Sequence, residues 1–250
     1  MFLLLALVSL VGAVRADQVA ELAKIHIEAI GGMKRIEKLT SLRATGLSGI
    51  AGKPPVRFTL TAARPAKIRL ETEAKGRTLV QGFDGDEPAW EFDTGTWPPQ
   101  YRLMADATAK TFVADAEFDD PLVGAEKRGF ILEYAGELEQ KGRKLIRILV
   151  TRKLQETYAV LLDEQTFFIV ARIDQRTTAG GRKMEVTTHY EDFRPVEGVL
   201  LPHLITVAVD GKPSQQTKIA RIDPNPPLTD ETFSRPKKVT VPGVRPADGK

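Results

Sequence analysis

The chain has 250 residues, 42% of them hydrophobic and 28% charged, with no cysteine and a formal net charge of +3. The lack of cysteine excludes disulfides, thiolate metal sites and cysteine nucleophiles, and a chain of this length can bury a sufficient core without staples. The pI of about 9.0 is poor support for nucleic-acid binding: Lys237, Lys238, Arg245 and Lys250 against Asp248 concentrate the surplus charge after residue 235 and leave residues 17–235 near neutrality.

Phe2 to Val14 form an apolar run shorter than the roughly 20 residues that a membrane span requires. Val14-Arg15-Ala16 has small residues spaced for cleavage after Ala16, so residues 1–16 read as a signal peptide, with a buried first helix as the alternative. No cysteine follows the run to carry a lipid anchor, and the expected product is soluble and periplasmic or otherwise secreted. Val19, Leu22, Ala23, Ile27 and Ile30 recur at helical spacing as far as Gly31-Gly32, and a short second helix is predicted from Met33 to Leu39.

Strands are predicted over about 41–50, 56–64, 66–73, 77–84 and 88–93, and again over about 130–138, 144–152, 156–162, 167–175, 183–193, 203–209 and 215–223. Turn residues punctuate them at Asp84-Gly85-Asp86-Glu87, Gln140-Lys141-Gly142, Asp163-Glu164, Ala179-Gly180-Gly181 and Asp210-Gly211. Alternation disappears from Pro98 to Gly129, where Ala-rich, acidic text with Phe112, Phe118, Leu122 and Val123 reads as helix and loop. About a dozen strands in meander order predict a mostly β fold: a strongly curved antiparallel sheet, an open half-barrel, with helices covering its concave face. Residues 17–236 are expected to form one domain and 237–250 a disordered basic tail.

Residues 56–92 place an arginine where the pattern is oily. In Val56-Arg57-Phe58-Thr59-Leu60-Thr61-Ala62-Ala63-Arg64 the even positions are apolar until Arg64, which shares their parity. A guanidinium on such a face costs several kcal/mol unless its donors are accepted. Arg64 is therefore either a functional residue or a rim residue beyond the strand end. Phe58, Leu60, Ile68, Leu70, Leu79, Phe83, Trp90 and Phe92 read as one apolar parity over four consecutive strands, either core under a helix or the wall of a lipid cavity.

Patterns that carry catalysis are weak. His26 flanks the stripe of the first helix without the second histidine of a zinc-protease helix, and His189 and His203 read as surface residues with no metal-ligand spacing. Gly46-Leu47-Ser48-Gly49 lies among strands and is one residue short of a nucleophile elbow. Asp84-Gly85-Asp86-Glu87 lacks the later ligands of a calcium loop, and Asp119-Asp120-Pro121 reads as a helix-to-loop transition. The chain reads as a non-enzyme with no metal, no cofactor and no catalytic residue to assign.

Four pieces of sequence carry a likeness. They are Arg64-Pro65 followed by Lys67-Ile68-Arg69-Leu70, Gly85 and Trp90; the opening Ala29-Ile30-Gly31-Gly32 with Ser41-Leu42-Arg43-Ala44-Thr45-Gly46; Pro121-Leu122-Val123-Gly124; and the close from Asn225-Pro226 through Leu228, Asp230, Phe233 and Pro236. Together they span residues 19–236 and resemble the bacterial periplasmic lipoprotein-carrier and lipoprotein-sorting proteins, the LolA/LolB-like superfamily. That resemblance implies an open half-barrel with a helical lid over an acyl-chain cavity, in which Arg64 matches an arginine that bonds lid carbonyls and holds the lid closed. It implies an exported lipid- or lipoprotein-binding carrier whose partners are acyl chains and a membrane-associated donor or acceptor protein, without nucleic acid. An interaction or sensor module on the same fold, its interior packed shut and without a transport role, is the alternative.

Overall fold

The computed structural model describes residues 18–86, 88–95, 99–152, 156–177 and 181–235. The expected leader and basic tail, Glu87 and Ala179-Gly180 fall outside them. A first helix, α1, covers 18–29 and is followed by α2 (Met33–Lys38) and six strands: β1 (Ser41–Ile50), β2 (Val56–Ala63), β3 (Lys67–Ala74), β4 (Arg77–Phe83), β5 (Trp90–Asp93) and β6 (Gln100–Leu103). Helix α3 (Asp106–Asp115) then leads into seven more: β7 (Ile131–Gln140), β8 (Arg143–Thr151), β9 (Thr157–Asp163), β10 (Ile169–Thr177), β11 (Lys183–Val196), β12 (Val199–Val209) and β13 (Lys212–Pro224). A 3-10 turn (Asp230–Thr232) closes the described chain.

All thirteen described strands belong to one antiparallel sheet in the order β6-β5-β4-β3-β2-β1-β13-β12-β11-β10-β9-β8-β7. It consists of two meanders, β1–β6 and β7–β13, joined where β1 pairs with β13. The sheet is open, with β6 and β7 as its edges. Local chemistry sets the meanders: Lys75-Gly76, Lys141-Gly142, Glu197-Gly198 and Asp210-Gly211 each have φ positive at both residues and join strands paired immediately on either side. This is the turn whose twist matches that of the flanking strands.

Two sequence expectations change here. Gln100–Leu103 is a strand inside the stretch expected to hold only helix and loop, because four residues are too few to show alternation. β11 runs on to Val196 and β12 begins at Val199 rather than near 203, with Pro195 and Pro202 paired to Leu200 and Phe193 within the hairpin. His203 thus sits mid-strand, buried at 6% exposure and bonded through Nδ1 to the Leu201 carbonyl at 3.0 Å, rather than on the surface.

The helices pack against one face. Val19, Leu22 and Ala23 of α1 lie on Ile146, Ile148, Val160 and Leu162 of β8 and β9, while Phe112 and Ala116 of the α3 segment lie on Ile68 and Phe83 of β3 and β4. The same α3 also reaches β10, where Asp115 stands 3.7 Å from Arg172. In the sheet order β3 and β10 are six spacings apart, about 29 Å if flat, whereas α3 is about 15 Å long and 10–12 Å across. The sheet must bend around the helix for both contacts to exist.

On the opposite face the chain after β13 doubles back. Asn225 secures its departure: its Oδ1 accepts from the Thr40 and Ser41 N–H groups at 2.9 and 3.3 Å, and its Nδ2 donates to the Lys38 carbonyl at 3.1 Å. Phe233 is buried, and its carbonyl accepts from Trp90 Nε1 at 3.1 Å. Trp90 pairs with Gly82, which in turn pairs with Arg69; Phe83 and Ile68 face the other way, toward α3. A methyl group at Gly82 would overlap the Trp90 indole. Gly82→Ala should therefore lower stability by about 1–3 kcal/mol, measured as a lower urea midpoint with altered tryptophan fluorescence.

Candidate functional site

A cavity of about 740 Å³ lies between the helix-bearing face and the segments that cross it. Its apolar lining includes Ile30, Ile36 and Leu39 from the N-terminal helices and their ends, Val123 from the connection after α3, and Ile205 and Val207 from β12. Ile30 reaches this place because α1 ends against β12: the Leu200 N–H donates to the Ile30 carbonyl at 2.8 Å, and Val123 packs in the same cluster as Ile30 and Val199. Gly31, at φ 130°, lies so close to the Gly198 carbonyl that a Cβ would overlap it.

The connection following α3 is held at Asp119, Asp120 and Arg128. Arg64, just beyond β2, turns its guanidinium toward α2: Nη2 donates to the Ile36 carbonyl at 2.7 Å, Nε to the Leu39 carbonyl at 3.0 Å and Nη1 to Asp119 Oδ2 at 2.5 Å. Its guanidinium carbon also lies 5.2 Å from the centre of the Phe118 ring, and the Phe118 backbone N–H donates to the Pro65 carbonyl at 3.2 Å. One side chain thus ties β2, α2 and the connection together. Burial pushes the Asp119 carboxyl up from its ordinary pKa, although Arg64 and Arg128 pull against it. Arg128 donates to the Asp120, Val123 and Asp119 carbonyls at 2.7, 3.1 and 3.2 Å and pairs with Glu117.

His26 forms the second tie. Its imidazole is 2% exposed and bonded at both nitrogens, Nδ1 to the Phe167 carbonyl at 2.7 Å and Nε2 to Asp120 Oδ2 at 3.1 Å. A carbonyl can only accept, so Nδ1 carries a proton. Asp120 is held as a carboxylate: burial pushes its pKa up, but His26 and the Leu122 and Val123 N–H groups, at 2.9 and 3.3 Å from Oδ1, bring it below the ordinary value. Nε2 must then donate as well, making His26 an imidazolium. Burial lowers its pKa, the Asp120 charge and the two hydrogen bonds raise it, and the net shift is upward. Asp163 shapes the turn that presents Phe167, accepting from the Gln165 and Thr166 N–H groups at 3.2 and 2.9 Å.

A third group of polar residues lines the cavity near the C-terminal end of α3. The Arg172 and Arg152 guanidinium carbons lie 4.3 and 5.0 Å from the centre of the Tyr158 ring. Arg172 Nη2 donates to Asp174 at 2.8 Å, and Arg152 Nη1 donates to the Ala114 carbonyl at 3.3 Å. Burial pushes the Tyr190 phenol up to about 12 and raises Tyr158 and the Asp115 carboxyl too, so both phenols are neutral near pH 7.

Of the nine residues singled out as ligand-binding, Arg64 alone borders this cavity. Ile68 and Phe83 form the core beneath α3, with Leu60 and Leu70 packed around it; Phe58 and Leu79 share that face through the pairs Phe58↔Thr72↔Leu79. Trp90 and Phe92 depart from the shared parity. The register Gly82↔Trp90 and Val80↔Phe92 puts them on the opposite face, with Tyr101 stacked on Phe92 at 4.6 Å. The 84–89 segment restarts the alternation out of phase. His26 lies in the middle of the helical stripe formed by residues 19, 22, 23, 26 and 30, not at its flank. Asp119 and Asp120 do not mark the end of a helix, since α3 stops at Asp115; they anchor the connection beyond it. No group of three or more metal-ligating side chains occurs among the described residues, and none of their helices is long and apolar enough to cross a membrane.

The two ties differ in their response to pH. His26, raised in the fold, stabilises fully below its unfolded value near 6.5, and its contribution is lost as pH rises through the folded value. Asp120, depressed, stabilises above about 4, and its contribution is lost as pH falls through the folded value. The urea midpoint should decline from pH 6 to pH 9, and His26→Gln should flatten that decline while lowering stability at pH 6.

No protein-family model matches the sequence, and no curated protein does. Solved structures match by shape. A putative outer membrane lipoprotein-sorting protein domain from Vibrio parahaemolyticus aligns at a TM-score of 0.59 and 9% identity over 87% of this chain and 97% of that one. A LolA superfamily protein from Nitrosomonas europaea aligns at 0.53 and 12% over 88% and 98%, and a DUF1329 family protein from Desulfovibrio piger at 0.59 and 10% over 88% and 97%. Such identities speak for the backbone alone, and the backbone of this chain is a LolA-like fold.

Proposed function

We propose that the chain is an exported carrier that shelters the acyl chains of lipids or lipoproteins, with the 740 Å³ cavity as the shelter. The cavity carries this reading. Its volume falls within the range of small-molecule sites, and residues such as Ile36, Leu39, Val123, Ile205 and Val207 give it an apolar stretch of wall between charged ends. Each methylene moved from water to such a wall contributes about 0.8 kcal/mol, so ten contribute on the order of 8 kcal/mol before the costs of ordering. An interaction or sensor module calls for an interior packed shut, and the open volume favours the carrier. The lipoprotein-sorting name of one structural neighbour supports the same reading. A membrane-associated protein would load or unload the cargo, and residues 1–16 would direct export. Binding and release require no bond to be made or broken, so no residue is assigned a catalytic role.

In this reading α1, α2 and the connection after α3 cover the hollow side of the sheet, and Arg64 keeps them closed. Incubation with a diacylated-cysteine peptide should give a one-to-one adduct in native mass spectrometry, and the acyl-free peptide should give none. Protein that stays clean with both would sink the carrier reading.

Arg64→Leu leaves the Leu39 carbonyl and the Asp119 carboxylate without their donor, at about 1–3 kcal/mol for each acceptor stranded, and leaves the Ile36 carbonyl with the Leu39 N–H alone, at 3.2 Å. Amide exchange in residues 33–39 and 117–124 should accelerate by ten-fold or more. Arg64→Lys should not restore it, since an ammonium cannot reproduce the planar fork. Unchanged exchange in both variants would remove the latch.

A further inference from the structure

The charges around the cavity are unevenly matched. At the latch end, Arg64, Arg128 and His26 face Glu117, Asp119 and Asp120. At the other end Arg152, Arg172 and Arg176 face only Asp115 and Asp174. Arg172 takes both carboxylates, at 3.7 and 2.8 Å. Among the described residues the Arg152 side chain pairs with no carboxylate, and the Arg176 side chain has neither a hydrogen bond nor an ion pair. Moreover, the Nε atoms of Arg152 and Arg172 are buried and lack any acceptor. A buried guanidinium N–H without an acceptor costs about 1–3 kcal/mol or more. Two such groups beside a single tyrosine ring, at the opposite end of the cavity from the matched charges of the latch, form an acceptor-deficient place.

We propose that this end of the cavity receives the anionic headgroup, a carboxylate or phosphate ester, of an amphiphile whose acyl chain lies along the apolar remainder. The inference rests on the carrier reading and deepens it by naming the class of cargo. An oxyanion offers acceptor atoms in the planar arrangement that guanidinium groups match best, and it neutralises the surplus cation. The neutral Tyr158 and Tyr190 hydroxyls border the same end and can add donors. Tyr158, Val160 and Ile148 form one inward surface of β8 and β9, so the charged end merges directly into apolar wall. Head and chain would thus be recognised by adjoining parts of one sheet.

The test compares ligands of equal chain length at pH 8 by titration calorimetry below their micellar range: decanoate, decan-1-ol and decyltrimethylammonium, with inorganic phosphate alone as a fourth arm. Decanoate should bind at least ten-fold tighter than decan-1-ol and tighter still than the cationic analogue. Arg152→Gln and Arg176→Gln should each weaken decanoate five-fold or more and leave decan-1-ol within two-fold. Arg176→Gln has no hydrogen bond to lose, so its folding is secure even if Arg152→Gln is destabilised. Equal binding of decanoate and decan-1-ol would overturn the headgroup site and leave the carrier reading standing. Binding by none of the amphiphiles would overturn both. Phosphate binding as tightly as decanoate and weakened by the same variants would show a site for free anions and overturn the amphiphile.

Discussion

Everything about this molecule turns on one connection. β6 and β7 are consecutive in the chain but lie at opposite edges of the sheet, so residues 104–130 must pass across the whole face. A stretch of that length, part helix and part turn, crosses most compactly where the sheet bends toward it. The bend and the crossing segment together leave the volume bordered by α1, α2 and β9–β13. The curvature of the sheet, the position of α3 and the cavity are thus three aspects of one geometric requirement.

Apolar contact alone would hold such a crossing segment weakly in register, since its own text is acidic and only intermittently oily. The fold adds charge-assisted hydrogen bonds at fixed points. Arg64 and His26 approach Asp119 and Asp120 from different parts of the chain, and Arg128 gathers the intervening carbonyls. These pairs border the cavity and involve side chains and loop carbonyls rather than the strand ladders. They fix the register of the crossing segment against the helices and β2.

The β character and most of the order of strands were legible in the sequence, because alternation and X-Gly turns are local signals. For β2 to β4 the parity holds across the hairpins: Leu60 faces Leu70, and Ile68 faces Phe83. It fails at Trp90, where the residues between β4 and β5 set the phase and no pattern within them announces which face comes next. His26 could have been read from helical spacing alone. Arg152, Arg172 and Tyr158 could not, since their grouping depends on strand pairings and on a helix arriving from the far edge. Burial of like charges around one tyrosine leaves no mark in a linear text.

The seam between the meanders bears on how the molecule is assembled. Every other pairing joins strands that follow each other in the chain, whereas at the seam Leu42 meets Pro224 and Ile50 meets Gln215. The hairpins can form from nearby residues as soon as they exist, but closing the seam must wait for almost the entire chain and carries the entropic cost of a very large loop. Until β13 arrives, β1 has one row of open N–H and C=O groups flanked by Leu47 and Ile50, an invitation to pair with a neighbouring copy. The order in which the chain is made, first meander before last strand, therefore makes the period before β13 docks the time at which this protein most needs to be kept apart from itself.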